Sequence, residues 1–309
     1  MKKKSILIFI IVYIIVCCTG CIQETTSEEK KQSIMVSTGM RFCNNGTTIR
    51  EENININSNT LDIEIGIDND YPFENIYTLI LLNNGKQEKY YIDKQMYLNY
   101  DISINEKSNK IINVGIRNLN NGPNELIFML YREDQRIPKD IFISPGIYLT
   151  YKAITVCVND QDSMYSPQNS EPALEILQNY GEDVKGIFLV KNSDCIRKNG
   201  VEVLTQENLQ DTDIYKFNLF RNISKTEFSK GIFVVFLDNK QIEVYNNGKK
   251  YFNLISNNLQ TGKTLIPVEL EIKEPGTHSC FALFIGYSNK ELPYMDRLYV
   301  SNLLFINKR

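Results

Sequence analysis

The stretch Gly122–Tyr131, GPNELIFMLY, returns as GTHSCFALFI at Gly276–Ile285. The offset, 276 minus 122, is 154 positions, and other landmarks keep it: Val36 and Val190, Asn45 and Asn199, Gly46 and Gly200, Gln87 and Gln241, Val114 and Val268. One register held from residue 36 to residue 285 implies a duplicated unit. With 309 residues, each copy of about 150 is long enough to bury a core of its own.

Val, Ile, Leu, Tyr and Phe recur in runs of strand length, Asn and Gly separate them, and Trp is absent. This composition describes an all-β chain. In Leu61–Ile67 the residues Leu61, Ile63, Ile65 and Ile67 share one face while Asp62, Glu64 and Gly66 take the other, as in a strand with one wet side. In Gly122–Tyr131, its copy, and Gly231–Leu237 both faces are apolar. Outward Ile and Phe are common enough on a central strand that this is read as ordinary strand composition, with cover by the other half or a partner as the alternative. Residues 33–160 and 181–309 are therefore expected to form two tandem antiparallel β-sandwiches. Between them, 161–180 reads as a linker with one short helix: Ser170 as N-cap, Pro172 in the first turn, Ala173, Ile176, Leu177 and Tyr180 at helical spacing, and Gly181 as the stop.

The pattern G-x-N-x-L-x-F at Gly122 and G-x-H-x-C at Gly276 resembles the penultimate strand of immunoglobulin-like or fibronectin-like bacterial modules. That resemblance implies a fold and no activity. No Trp sits on a central strand and no Cys pair occupies matched positions in the two halves, so no particular family follows.

The N-terminus is MKKK followed by the apolar run SILIFIIVYIIVCC, which reads as an export signal too short to span a membrane. Cys18-Thr19-Gly20-Cys21 resembles the lipobox of prokaryotic lipoproteins, with Cys18 where that family prefers Leu. The resemblance covers residues 1–21 and implies that Cys21 is acylated and anchors the chain to a membrane, facing away from the cytoplasm. Residues 22–32, IQETTSEEKKQ, read as a polar tether. Loss of Lys2, Lys3 and Lys4 with the signal would take the net charge from −3 to −6. A mildly acidic chain without a basic run has no electrostatic footprint for nucleic acid.

His278 is the single histidine and sits where Asn124 sits in the other copy. It reads as a polar residue at the start of a strand, and Cys280, matching Leu126, reads as core; no catalytic or metal centre is expected from them. Cys43, Cys157, Cys195 and Cys280 allow one bridge per half, yet their places do not match between copies, which favours buried thiols. Asp68-Asn69-Asp70 and Asn159-Asp160-Gln161-Asp162 are oxygen-rich, but turn chemistry explains them better than calcium. Tyr90, Tyr91, Tyr97 and Tyr100 beside Lys89, Lys94 and Gln95, and Tyr245, Tyr251 and Phe252 beside Lys249 and Lys250, suit sugar or protein recognition or, more simply, cross-strand pairing. Asn45-Gly46-Thr47 and Asn222-Ile223-Ser224 fit the glycosylation pattern, which the lipobox makes coincidental.

Together these features imply a membrane-anchored, non-catalytic binding or assembly module without a cofactor, whose partner is an envelope protein or glycan. The alternatives are an enzyme or accessory subunit acting on envelope polysaccharide through carboxylates such as Asp68, Asp70 or Glu74, and a structural stalk.

Overall fold

Each half builds a front and a back sheet, and the strand order is the same in both. The computed structural model describes residues 37–50, 52–132, 148–159, 175–176, 185–197, 200–210, 212–223, 228–256, 263–288 and 292–309. The signal, the lipobox with Cys21 and the tether lie outside them, as do Val36 and Asp160 to Asp162. In the first half, the front sheet runs Thr47–Thr48, Thr38–Asn44, Leu61–Asn69, Ser108–Ile116, Tyr90–Ile92, Gln95–Tyr97. Its back sheet runs Asn53–Ile56, Leu149–Val158, Gly122–Arg132, Asn75–Asn83, Lys86–Gln87, with Asn99–Ile104 also on Asn75–Asn83. In the second half, Gly186–Val190, Ile214–Asn222, Lys263–Glu271, Val244–Asn246 and Lys249–Tyr251 form the front. Gln206–Leu209, Leu304–Lys308, Gly276–Ser288, Phe228–Leu237 and Lys240–Gln241 form the back, with Leu254–Ser256 and Leu298–Val300 paired onto it. This is a duplicated, immunoglobulin-like all-β architecture.

The pairing is antiparallel with one repeated exception. Asn53–Ile56 runs parallel to Thr155–Val158, and Gln206–Leu209 runs parallel to the Phe305–Lys308 stretch of the last strand. In each half, an early segment leaves the front sheet and lies along the final strand of the back sheet.

Two corrections concern elements read from the sequence. Within 170–181 the described residues, Glu175 and Ile176, form a strand and not a helix, pairing with Leu265 and Thr264. The neighbouring Val244–Asn246 meets Lys263–Glu271 only at Tyr245 and Glu269, so the ladder beside Thr264 and Leu265 is open. Backbone groups that would otherwise go unpaired take the segment and override its helical spacing.

The second correction concerns the strands apolar on both faces. Leu126, Phe128 and Leu130 join Ile65, Leu79 and Ile154 in the first core, while Phe233, Val235, Cys280, Ala282 and Phe284 join the second. The alternate residues Ile127, Met129, Tyr131, Ile80 and Leu82 pack directly against Ile232, Val234, Phe236, Phe281, Leu283 and Ile285. The two back sheets thus cover each other, giving four sheet layers with three apolar layers between them. This middle layer holds seventeen buried side chains among the described residues. At roughly 1.5–3 kcal/mol for each large side chain taken from water, separation of the halves would cost far more than a domain's net stability.

The packing follows the duplication. Ile127 and Phe281, Met129 and Leu283, Tyr131 and Ile285 are matched positions, so the same face of each copy meets the other. At the rim, the Gln87 N–H donates to Gln241 Oε1 at 2.6 Å while the Gln241 N–H donates to Gln87 Oε1 at 2.7 Å. Such a reciprocal pair is the mark of a two-fold relation. The Asn84-Gly85 turn, with φ of 53° and 74°, brings the Gly85 backbone against this rim, where its carbonyl accepts from Gln241 Nε2 at 3.1 Å. A Cβ on Gly85 would lie 3.2 Å from Ile232 Cδ1 of the other half, so both its conformation and the space favour glycine.

One charged group is buried in the layer. Glu125 is 2% exposed; it accepts from Arg297 Nη2 at 2.6 Å and from the Tyr287 hydroxyl. Burial pushes its carboxyl above the ordinary range, against the pull of Arg297 and Tyr287.

Phe281 lies between the Tyr131 ring (centroids 5.8 Å, interplanar 8°) and the Phe236 ring (4.8 Å, 10°). Phe281→Ala is expected to cost about 3–5 kcal/mol in denaturant unfolding, with residue-resolved signals from both halves still lost in one transition. A cost under about 1 kcal/mol, or two separate transitions, would contradict a shared layer.

Candidate functional site

Because the back sheets face each other, the open sheet faces are the outer sides of the two front sheets. They differ. In the second half, Val190, Ile196, Phe220 and Leu265, with Phe188, Cys195 and Val201, form an apolar cluster in which the hairpin Ile196–Arg197/Gly200–Val201 covers the sheet. In the first half, the corresponding hairpin stays in the sheet plane, with Cys43 opposite Thr48 and Asn44 opposite Thr47. The first front sheet therefore keeps its outer face.

On that face lies a groove of about 450 Å³ lined by Asp62, Tyr91, Asp93, Lys94, Asn113, Val114, Gly115 and Arg117. Strand register places Asp62, Gly115 and Tyr91 side by side across three strands. Arg117 lies over this row. Its Nη2 is 2.6 Å from Asp62 Oδ1, and its Nη1 donates to the carbonyls of Leu61 at 3.2 Å and Ile116 at 3.0 Å. Its guanidinium carbon is 5.8 Å from the Tyr91 ring centroid. The Asp62 side chain is largely exposed, so the ion pair adds little stability. Its consequence is positional: a cation, a carboxylate and an aromatic ring are held beside one another.

The second copy shows what makes the groove. Gly115 matches Glu269, and Asp62 matches Lys216; there the two matched side chains pair with each other, Lys216 Nζ lying 2.7 Å from Glu269 Oε1. A Cβ on Gly115 would sit 2.9 Å from both Arg117 Nη2 and Asp62 Oδ1, so glycine provides the floor on which the pair lies. The rim turn differs too. Asn247-Gly248 has φ of 52° and 74°, the ordinary composition for such a turn, whereas the first copy holds Asp93 and Lys94 at 49° and 69°. A lysine in left-handed backbone is less favourable there than the glycine of the other copy. Lys94 was read from sequence beside the tyrosine cluster, whereas Gly115 was not singled out, although the 154-residue offset contains the signal.

The tyrosine cluster read from sequence does not form one surface. Tyr90 is buried, its hydroxyl donating to the Leu79 carbonyl at 2.6 Å, and it stands opposite Tyr97 in the ladder. Tyr97 and Tyr100 pack edge to face at 4.8 Å beside the first core. Tyr91 alone of the four lines the groove. In the second half, Lys250 Nζ lies 5.2 Å from the Tyr245 ring, Tyr251 packs on the core and Phe252 is exposed.

His278 has a structural role. Its Nδ1 is 2.7 Å from Asp238 Oδ2, and its Nε2 is 2.8 Å from the Glu274 carbonyl four residues back. Asn124 likewise bonds the carbonyl of Asn120, four residues back, at 2.8 Å. Both side chains fix the turn into the same strand. Cys280 is buried in the second core, and burial drives its thiol well above the ordinary range. Cys43 and Cys195 are free thiols, and Cys157 is buried. Asn69 is fully buried and binds the carbonyls of Phe73, Ile104 and Asn105, while Asp68 pairs with Arg41 and Asp70 accepts from Ser37 at 2.6 Å. Glu74 accepts from Ser103. Among the described residues no group of three His, Cys, Asp or Glu is placed to hold a metal ion. Asn222 is buried, which closes that glycosylation pattern.

No protein-family model matches the chain, and no curated protein matches it. Solved structures similar to it include the CARDB domain of the PF1109 protein from Pyrococcus furiosus in complex with di-metal ions, with 11% identity over 40% of this chain and 94% of that one, TM-score 0.25. Red sea bream transglutaminase aligns with 8% identity over 89% of this chain and 31% of that one, TM-score 0.24. A chain from the complex of zinc 2-glycoprotein and prolactin inducible protein from human seminal plasma gives 11% identity, 44% and 100% coverage, TM-score 0.26. None of these likenesses bears on activity or ligand.

Burial lowers the His278 pKa, but the hydrogen bonds to Asp238 and Glu274 and the Asp238 charge outweigh it and raise the pKa above the usual value. A raised folded-state pKa contributes stability that is full below the unfolded pKa of about 6.5 and is lost as pH rises through the folded value. His278→Asn, the residue of the other copy, is expected to fold and to lose this dependence. Thermal melts between pH 5.5 and 8.5 check it; a wild-type melting temperature indifferent to pH relative to the variant contradicts it.

Proposed function

We propose that the chain is an exported, lipid-anchored binding module of the cell envelope, non-catalytic, whose first half recognises a hydroxyl-rich ligand such as an envelope glycan. The observation that carries this reading is the groove over Gly115, a position where the other copy carries Glu269 paired with Lys216. An aromatic ring, a fixed guanidinium–carboxylate pair and the exposed amide of Asn113 supply stacking, donors and acceptors together, which suits sugar hydroxyls. The lipobox resemblance at Cys18 to Cys21 and the polar tether support the anchor and the outward orientation.

The soluble chain from Gln23 to Arg309, immobilised, is expected to retain polysaccharide from solubilised envelope of the source cells. Arg117→Ala and Tyr91→Ala should each reduce retention at least about tenfold, matching the ~1.4 kcal/mol or more expected of a central contact. Gly115→Glu, which restores the second copy's residue, should fold normally and abolish retention. Equal retention by all variants, or none by the wild type, overturns the glycan reading. Mass spectrometry of the membrane-extracted protein should find Cys21 acylated at the N-terminus, and an unmodified Cys21 removes the anchor.

A further inference from the structure

The opposite end of the first sandwich holds a second feature that packing does not explain. Arg132, the last residue of its strand, stands opposite Tyr77 in the ladder and is only 6% exposed. The ring of Tyr71, fully buried in the loop after Leu61–Asn69, lies 4.8 Å from its guanidinium carbon. A ring at that distance occupies the guanidinium face, leaving the in-plane edge for hydrogen bonding. Yet, among the described residues, Nε and Nη1 of Arg132 are buried without an acceptor, and the Tyr71 hydroxyl is buried without a partner. Around Tyr77, Asn69 Oδ1 accepts from Asn75 Nδ2 at 2.9 Å and from the Tyr77 hydroxyl at 3.0 Å, Thr38 Oγ1 is 3.0 Å from that hydroxyl, and Asp70 takes Ser37. Among the same described residues Asn75 Oδ1 is buried without a partner, but an amide oxygen carries no charge to balance the arginine.

A buried cation without a counter-charge is costly, and a methionine would fill such a place more cheaply. Nor is the arginine inherited packing, since the matched position in the second copy is Gly286, over which Phe228 lies. The orphaned groups carry hydrogens to donate and one net positive charge. Water could accept those hydrogens but would leave the charge unbalanced. An oxyanion meets both requirements.

We infer that Arg132 and Tyr71 form an oxyanion site at the end of the first sandwich, taking a carboxylate or phosphate group of a ligand. It is separate from the groove, which lies at the Leu61 end of the strand whose other end is Asn69.

The test uses the soluble chain from Gln23 to Arg309, with inorganic phosphate and acetate as probes and chloride at matched ionic strength as reference. Phosphate or acetate should raise the melting temperature by about 2 °C or more at a concentration well above its dissociation constant. Response to one probe only assigns the group. Arg132→Met should be at least as stable as the wild type in chloride and lose the anion response, and Tyr71→Phe should weaken that response several-fold. The Arg132 Nε–Hε resonance of the wild type should move saturably with the active anion, and this decides the matter if Arg132→Met does not fold. An unmoved resonance, no anion response beyond chloride, or an equal response in Arg132→Met, which is the signature of general salt exclusion, overturns the site.

Discussion

The mutual burial of the two back sheets is the constraint on which the rest of the molecule depends. A sandwich needs only the inner face of each strand to be apolar, yet Gly122–Arg132, Phe228–Leu237 and Gly276–Ser288 are apolar on both, and the outer set meets its counterpart in a third core. This joins the halves into one four-layered body. It also decides where recognition can take place: the back faces are consumed, so the front faces and the ends of each sandwich remain. Glu125, held by Arg297 and Tyr287 inside the layer, adds a polar register to an otherwise apolar contact.

The duplication acts as an internal control on what each residue is for. Where matched positions behave alike, they build the frame: Gln87 with Gln241 across the rim, Asn124 with His278 at the turn into the central strand. Where they diverge, the divergence marks something one copy does and the other does not. Gly115 against Glu269, Lys94 against Gly248 and Arg132 against Gly286 all fall in this second class. The first two floor and edge the groove, and the third places a cation where, among the described residues, no acceptor waits. His278 and Asn124 each bond the carbonyl four residues back, so that bond belongs to the shared frame.

Much of the frame was legible because strand alternation is a local signal. Ile63, Ile65 and Ile67 are buried while Asp62 and Glu64 reach toward solvent, as their spacing requires. The outward apolar residues were equally visible, but alternation cannot say what lies against the second face, and ordinary strand composition was the wrong account of them. The helix read over Ser170–Gly181 fails at Glu175 and Ile176 because an open ladder at Thr264 and Leu265 lies far away in sequence. The tyrosines clustered in sequence because three successive short strands carry them, Tyr100 on a strand of the other sheet, and the pleat then sent Tyr90 inward and Tyr91 outward. Tyr91 and Lys94 were visible in the tyrosine cluster, but the groove floor required comparison of the two copies position by position, since a glycine is noticeable only against the glutamate that replaces it.

The most direct test of this account is a disulfide across the rim of the shared layer. In Gln87→Cys/Gln241→Cys, oxidation of the soluble chain should give near-complete intramolecular bonding in a monomer, because these two residues exchange backbone and side-chain hydrogen bonds in the folded protein. Failure to form the bond, or bonding only between molecules, would mean that the two sandwiches do not share their back faces, and the central layer with everything derived from it would fall.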